Sequence, residues 1–469
     1  MPLSRIRSVT SRTSSKYFNV QISLDMHKLL LILIALLFLE DFVPTGKLKL
    51  VPELISAMIF AFILLRAALY NIISIPPRYL ILGVFILLHG LVGIMVNSVA
   101  PGTIVTGLRP YLRWLPLMLL PTVYQSPDSQ FRNQLLLMLC FLLLQAPVTL
   151  YQRLIEYRDY GSGDMITGTL GVGGSGALSV LLLSGIAVLT AFYARGMISG
   201  AKLFMLVVIL TLPTTINETK ATFVLLPFAI LVPYLFAGWQ KINVAKLTSI
   251  LTILAVLFGG YITLYNQFYK EQGVEANGEK SLWDNVARYL YGGREWTTDE
   301  LIGEQRIGRN TILPEDPIGS KEGGGRIDKI LMPIRTLSYD PVKLWVGLGF
   351  GNASTSTIGQ FSGEFAIRIG EISGETTASF LLWETGLGGI ALFLVLLGFL
   401  TYDAIRLSKL NDARGTLAAG WVGVMLIMII CVAYLNMFYF NALSYLWAYL
   451  SGHIIAWRFM MKKQPYALG

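Results

Sequence analysis

Apolar runs approaching the length needed to cross a hydrocarbon layer of ~30 Å recur from one end of this chain to the other, and such runs fold as helices because no water is there to satisfy the backbone. Twelve are readable: residues 29–43, 54–75, 79–99, 103–123, 135–155, 177–193, 203–216, 221–236, 247–265, 378–401, 417–439 and 442–457. The first and seventh are short. With 54% hydrophobic and 14% charged residues over 469 positions, a soluble fold would have to expose much of this apolar surface to water. The expected class is all-α: a polytopic helical membrane protein of about 12 transmembrane helices.

Basic residues in the short connections set the orientation. Arg5, Arg7, Arg12 and Lys16 precede the first run, and Arg78, Arg132, Arg195, Lys202, Lys241, Lys246, Arg406, Lys409, Arg414, Arg458, Lys462 and Lys463 follow. Twelve spans put all of them on one side. Both termini are then cytoplasmic, and the net charge of +9 is a topology signal rather than a sign of nucleic acid. The basic start lacks a small-residue cleavage site, so the first helix is expected to be retained. The organisation that follows is a basic tail (1–28), nine helices (29–265), a long loop (266–377), three helices (378–457) and a second basic tail (458–469).

By this topology the 266–377 loop is extracytoplasmic. Loops of this length inside a compact protein are usually functional or disordered. Trp283, Tyr289, Tyr291, Trp296 and Trp345 argue for order, because disordered segments are poor in aromatics, and residues 327–337 form an amphipathic stretch suited to a membrane surface.

Two arginines break the apolar pattern. Arg109 and Arg113 lie within 103–123, one helical turn apart, at depths of roughly 9 and 15 Å from the outer end. A charge near the bilayer centre costs roughly 3 kcal/mol, so such residues face a cavity, a counter-charge or an anionic ligand. Arg153 at the outer end of the fifth run, Lys220 in the outer turn before the eighth, and Arg326 in the loop carry positive charge to the same side. Guanidinium groups bind phosphate oxygens in pairs and lysine adds a point charge, so the set suits a ligand with a multiply charged head and a lipid tail, such as a polyisoprenyl diphosphate. Each has a structural alternative. Arg153 and Lys220 can snorkel to the interface, Arg326 can pair with Asp328 or another loop acid, and Arg109 and Arg113 can pair with buried acids such as Glu53 or Glu384.

Other chemistries lack their signatures. The sequence has no GxxxxGK[ST] loop, no DxD pair, no GxSxG elbow, no HExxH helix and no CxxC pair. Cys140 and Cys431 each lie in a span, and the three histidines, His27, His89 and His453, are scattered, so no metal and no cofactor are expected. Whatever reaction occurs uses an already activated donor.

The run Val346-Gly347-Leu348-Gly349-Phe350-Gly351-Asn352, followed by GETTASFLLWETGLGG at 374–389, resembles the signature of the bacterial O-antigen ligase and polymerase superfamily: a GxGxGN-like turn, then a helix opening that ends in E-x-G-x-x-G. GLRPYLRWLP at 107–116, TGTLG at 167–171, and Glu218-Thr219-Lys220 where relatives often carry a Ser-Arg pair agree with it. The resemblance implies a GT-C-like membrane glycosyltransferase of the bacterial inner membrane with one large periplasmic loop. It would take glycan from undecaprenyl diphosphate and pass it to an acceptor glycan without metal, with a flippase and a chain-length regulator as its expected partners. Arg109, Arg113, Arg153, Lys220 and Arg326 become candidates for the diphosphate site, where fixed cations stabilise charge developing on the leaving group. Gly347, Gly349 and Gly351 are expected to serve loop geometry.

One position departs from the pattern. Ligase-type relatives carry a histidine nine residues before the Glu of E-x-G, and here that position is Glu375. A carboxylate there is the candidate general base, or it only caps the helix that follows. The replaced histidine favours polymerase over ligase. A lipid-linked oligosaccharide flippase or transporter is the rival from another class, opposed by the lack of a repeat between the two halves, and a non-catalytic assembly subunit is a third reading.

Overall fold

The computed structural model describes residues 25–40, 47–70, 74–158, 163–171, 173–217, 219–238, 244–269, 325–356, 359–366 and 374–463. Among them the fold is all-α, with no strand. The helices are α1 (Met26–Leu39), α2 (Val51–Tyr70), α3 (Pro77–Val96), α4 (Pro101–Leu112), α5 (Leu115–Val123), α6 (Asp128–Tyr151), α7 (Ser175–Ala194), α8 (Gly200–Ile216), α9 (Ala221–Ala237), α10 (Val244–Tyr269), α11 (Arg326–Leu337), α12 (Pro341–Val346), α13 (Thr377–Leu407), α14 (Ala413–Cys431) and α15 (Asn441–Lys463). Trp283, Tyr289, Tyr291 and Trp296 lie outside the described residues.

Six of these are long and apolar enough to cross a membrane: α2, α3, α6 with its continuation, α7, α13 and α14. The chain is therefore a helical membrane protein. The remaining runs are handled differently from unbroken spans. Helices α1, α8, α9 and the apolar part of α10 are shorter. The 103–123 run is split into α4 and α5 at Arg113-Trp114, because Pro116 in the first turn of α5 has no N–H to give and crowds the carbonyl four residues back. The 417–439 run stops as a helix at Cys431 and passes into turns.

The bundle centres on α7, α9 and α14, where small residues bring backbones together as they do in membrane interfaces. A Cβ on Gly420 would lie 2.7 Å from Val188 Cα, one on Gly423 2.6 Å from Pro233 Cγ, and one on Gly452 of α15 2.3 Å from the Met118 carbonyl of α5. At the periphery, α2 and α3 turn Leu64, Leu65, Leu69, Leu80, Phe85, Leu87 and Met95 outward, as lipid-facing helices do.

The basic connections meet at one end of this bundle. The Asp403 carboxylate, fully buried, binds Arg78 and, at 3.5 Å, Arg458, and accepts from the Tyr79 hydroxyl at 2.7 Å. Arg195 donates to the carbonyls of Ser408 and Leu410 at the end of α13, satisfying acceptors that the helix leaves open. Lys246 reaches the Ala194 carbonyl at 3.0 Å, and Arg414 pairs with Asp128 at 3.3 Å. Arg78 and Arg458 thus belong to a buried ion network as well as to the topology pattern.

Candidate functional site

At the opposite end of the bundle, the glycine-rich turn docks onto a break in α13. Gly386 sits at φ +63°, ψ −165°, a conformation open only to glycine, and interrupts the helical ladder. The carbonyls just before the break take other donors: Trp383 from the Leu348 N–H (2.8 Å), Glu384 from the Gly349 N–H (2.9 Å), and Thr385 from Nε2 of His89 (2.8 Å). Gly347 ends α12 at φ +72°, and a Cβ there would lie 2.5 Å from the Glu384 carbonyl carbon. Gly351 meets Gly107 of α4, with its missing Cβ 2.3 Å from the Thr103 carbonyl. Gly347, Gly349 and Gly351 therefore lock the turn between α3, α4 and α13. Asn352 completes it, donating to the Leu348 carbonyl and accepting from the Glu364 N–H, both at 3.0 Å.

Glu384 is buried where this turn meets α4. Its carboxylate accepts from the Tyr111 hydroxyl at 2.9 Å and from the Ser354 hydroxyl. These bonds offset the loss of hydration that a buried carboxylate suffers. Glu384 is thus tied to a tyrosine and a serine and not, among the described residues, to an arginine. Tyr111, flanked by Phe350, Phe380 and Phe438, lies between Arg109 and Arg113 in sequence, so Glu384 couples the glycine turn to the helix that carries the arginines.

Both arginines reach one acid. Arg109 grips Glu53, in the first turn of α2, through Nε and Nη2, each at 2.8 Å. Arg113 brings Nη1 to 3.5 Å from the same carboxylate and gives Nη2 to the Phe438 carbonyl. Arg109 keeps 40% of its side chain exposed, against 13% for Arg113 and 18% for Glu53. The counter-charge alternative raised by the sequence is realised for both.

A second cluster forms where α11 meets the start of α13. Arg326 (2.9 Å) and Lys329 both bind Oε2 of Glu375. Lys329, missed in the sequence, is one helical turn from Arg326 on the same face of α11, and that spacing was the available signal. Asp328 does not take Arg326; it accepts from the Gly325 N–H at 3.2 Å. Glu375 does not cap α13 either. The Ser379 N–H goes to the Thr376 hydroxyl (3.0 Å), and the Thr377 and Ala378 N–H groups go to the carbonyls of Leu435 and Val432. The α14–α15 connection therefore caps α13, while its Phe438 carbonyl holds Arg113 and its Tyr439 lies against Gly374. It bridges the two clusters.

The five cations named from the sequence divide. Arg109 and Arg113 share Glu53, and Arg326 holds Glu375. Arg153 is buried in a π-helical turn, Gln152–Glu156, that ends α6, and Lys220 immediately precedes α9. Near them, Gln145 and Gln152 bind the polar turn at Gly168 and Thr169, and Asn217 binds Ser175 and Thr219. Two cation–carboxylate clusters thus stand beside one connecting segment of a helical membrane protein. No family model matches the chain and no curated protein is significantly similar to it.

Proposed function

We propose that this protein is a bacterial inner-membrane glycosyltransferase that polymerises undecaprenyl-diphosphate-linked oligosaccharide repeats into a surface polysaccharide on the periplasmic face. Both termini are then cytoplasmic, and the end bearing α11, α12 and the glycine turn is periplasmic. The observation that carries the reading is the meeting of Arg109 and Arg113 with Arg326, Lys329 and Glu375 around the α14–α15 connection.

In this reading Arg109 and Arg113 hold the diphosphate of the donor. The acceptor hydroxyl gives its proton to Glu375 as its oxygen attacks the anomeric carbon. The bond from that carbon to the diphosphate breaks, the diphosphate keeps the electron pair, and the fixed guanidinium groups stabilise the added charge. Arg326 and Lys329 both bind Oε2 of Glu375, which orients the carboxylate and leaves Oε1 without a hydrogen bond among the described residues. Arg153 and Lys220 belong to the diphosphate site only if the ligand extends toward α6 and α9.

The test is glycan length on gels from cells with the wild-type gene, its deletion, Glu375→Gln and Arg109→Ala, with membrane abundance checked. The expected result is loss of long chains and accumulation of single lipid-linked repeats facing the periplasm in all three altered strains. Full polymer left on the carrier lipid would make the protein a ligase, and repeats facing the cytoplasm would make it a flippase.

A further inference from the structure

Glu53 presents the arginine pair with the same fork-shaped geometry that a phosphate group presents. Its carboxylate takes Nε and Nη2 of Arg109 at 2.8 Å each, the two-bond arrangement that guanidinium groups also make with phosphate oxygens. Among the described residues the charges around this pair balance. Around Tyr445 of α15 stand two guanidinium groups, Arg109 and Arg113, and two carboxylates, Glu53 and the buried Glu40, which accepts from Asn441 Nδ2 at 3.0 Å. An incoming diphosphate therefore meets no net positive charge from these four groups until a carboxylate withdraws. Glu53 is the one able to withdraw, because Arg109 opens toward the surface while Glu40 is sealed by Asn441. Glu53 lies in the first turn of α2, where the helix dipole favours a carboxylate. Two buried donors are unmet beside it among the described residues, Nε of Arg113 and the hydroxyl of Tyr445.

We propose that Glu53 is a built-in stand-in for the ligand's anion: it occupies Arg109 and Arg113 at rest and is displaced by the diphosphate head of a lipid-linked substrate, whose oxygens then also take Arg113 Nε and the Tyr445 hydroxyl. This rests on the reading of Arg109 and Arg113 as the diphosphate site. Glu53 is thereby a specificity-determining residue. An anion with too little charge and too few oxygens to take Arg109, Arg113 and Tyr445 together dislodges it poorly, and affinity for one that can is set by competition with the protein's own carboxylate.

The experiment is equilibrium binding of radiolabelled farnesyl diphosphate, with farnesyl monophosphate as comparison, to the detergent-purified full chain as wild type, Glu53→Gln, Glu53→Asp and Arg109→Ala. Removing the competing charge in Glu53→Gln is expected to tighten diphosphate binding about tenfold, the equivalent of ~1.4 kcal/mol. The same change is expected to narrow the preference over monophosphate, and Glu53→Asp, whose shorter side chain keeps the charge but not the two-bond reach, falls between. Arg109→Ala is expected to lose binding. Equal or weaker binding by Glu53→Gln, with Arg109→Ala still defective, overturns the stand-in role and leaves the arginine site intact. Unchanged binding in Arg109→Ala overturns the site itself. If Glu53→Gln does not survive purification, Glu53→Asp decides, since a stand-in predicts tighter binding and a purely structural partner predicts weaker.

Discussion

Substituting Gly386 by alanine strikes the joint on which the whole candidate site is assembled. The residue's φ of +63° with ψ of −165° is a region that costs an L-residue about 1–3 kcal/mol. The new Cβ would sit 2.6 Å from the Gly347 nitrogen and 2.6 Å from the Trp345 carbonyl oxygen, both backbone atoms that cannot rotate away. Relief requires the glycine turn to lift off α13, which weakens the Leu348-to-Trp383 and Gly349-to-Glu384 hydrogen bonds, each about 1 kcal/mol net. The combined effect is about 3–5 kcal/mol of local destabilisation. Gly398 on the same helix is the control, because nothing lies within 4 Å of its missing Cβ and alanine there gains about 0.5–1 kcal/mol as a better helix former. Heating each variant in detergent and measuring the monodisperse fraction by size exclusion separates them. Gly386→Ala should aggregate at temperatures that wild type survives, and Gly398→Ala should match or exceed wild type. Equal heat survival of the two alanine variants would refute the assignment of Gly386 as a conformational requirement.

Asp403→Asn leaves the buried Arg458 and the half-buried Arg78 without their counter-charge and should destabilise by about 3 kcal/mol, with partial recovery when Arg458→Met is added. A double variant no more heat-stable than the single would show that the network does not hold the basic end together. Tyr111→Phe keeps the ring among Phe350, Phe380 and Phe438 but removes one donor from Glu384. It should cost about 1.5–3 kcal/mol by the same heating assay and shorten the glycan chains, because the arginine helix loses one of its ties to the glycine turn. Wild-type stability in that variant would mean that the Tyr111–Glu384 bond contributes nothing.

The helical membrane character was legible in the apolar runs because hydrophobic length is a one-dimensional property. What divides the runs was legible only in part. The break at Arg113-Trp114 had its cause printed as Pro116, yet an arginine at that point reads as an intruder in a span and not as the end of a helix. The end of α14 at Cys431 had no such mark, since VAYLNMFYF continues apolar while its backbone turns aside to cap α13. Within the site, Arg109, Arg113, Arg326 and Glu375 stood out because charge in an apolar or loop context is conspicuous. Tyr111 and Ser354 did not, because a hydroxyl has no fixed meaning until the Glu384 carboxylate, 273 and 30 residues away in sequence respectively, is brought to it.

The pairing of Arg109, Arg113, Arg326 and Lys329 with acids has a physical origin that bears on how such a site works. A bare guanidinium inserted at depth costs roughly 3 kcal/mol, so a chain that keeps arginines ready for an anion must neutralise them while the anion is away. Glu53 does this for Arg109 and Arg113, and Glu375 does it for Arg326 and Lys329. The two acids differ in consequence. Glu375 binds its cations through one oxygen, which leaves the other for a proton, whereas Glu53 spends both oxygens on Arg109 and has none to offer a substrate. The first arrangement suits a carboxylate that stays in place and accepts a proton, the second one that must leave, and that difference is the ground for the proposed roles of Glu375 as base and Glu53 as competitor.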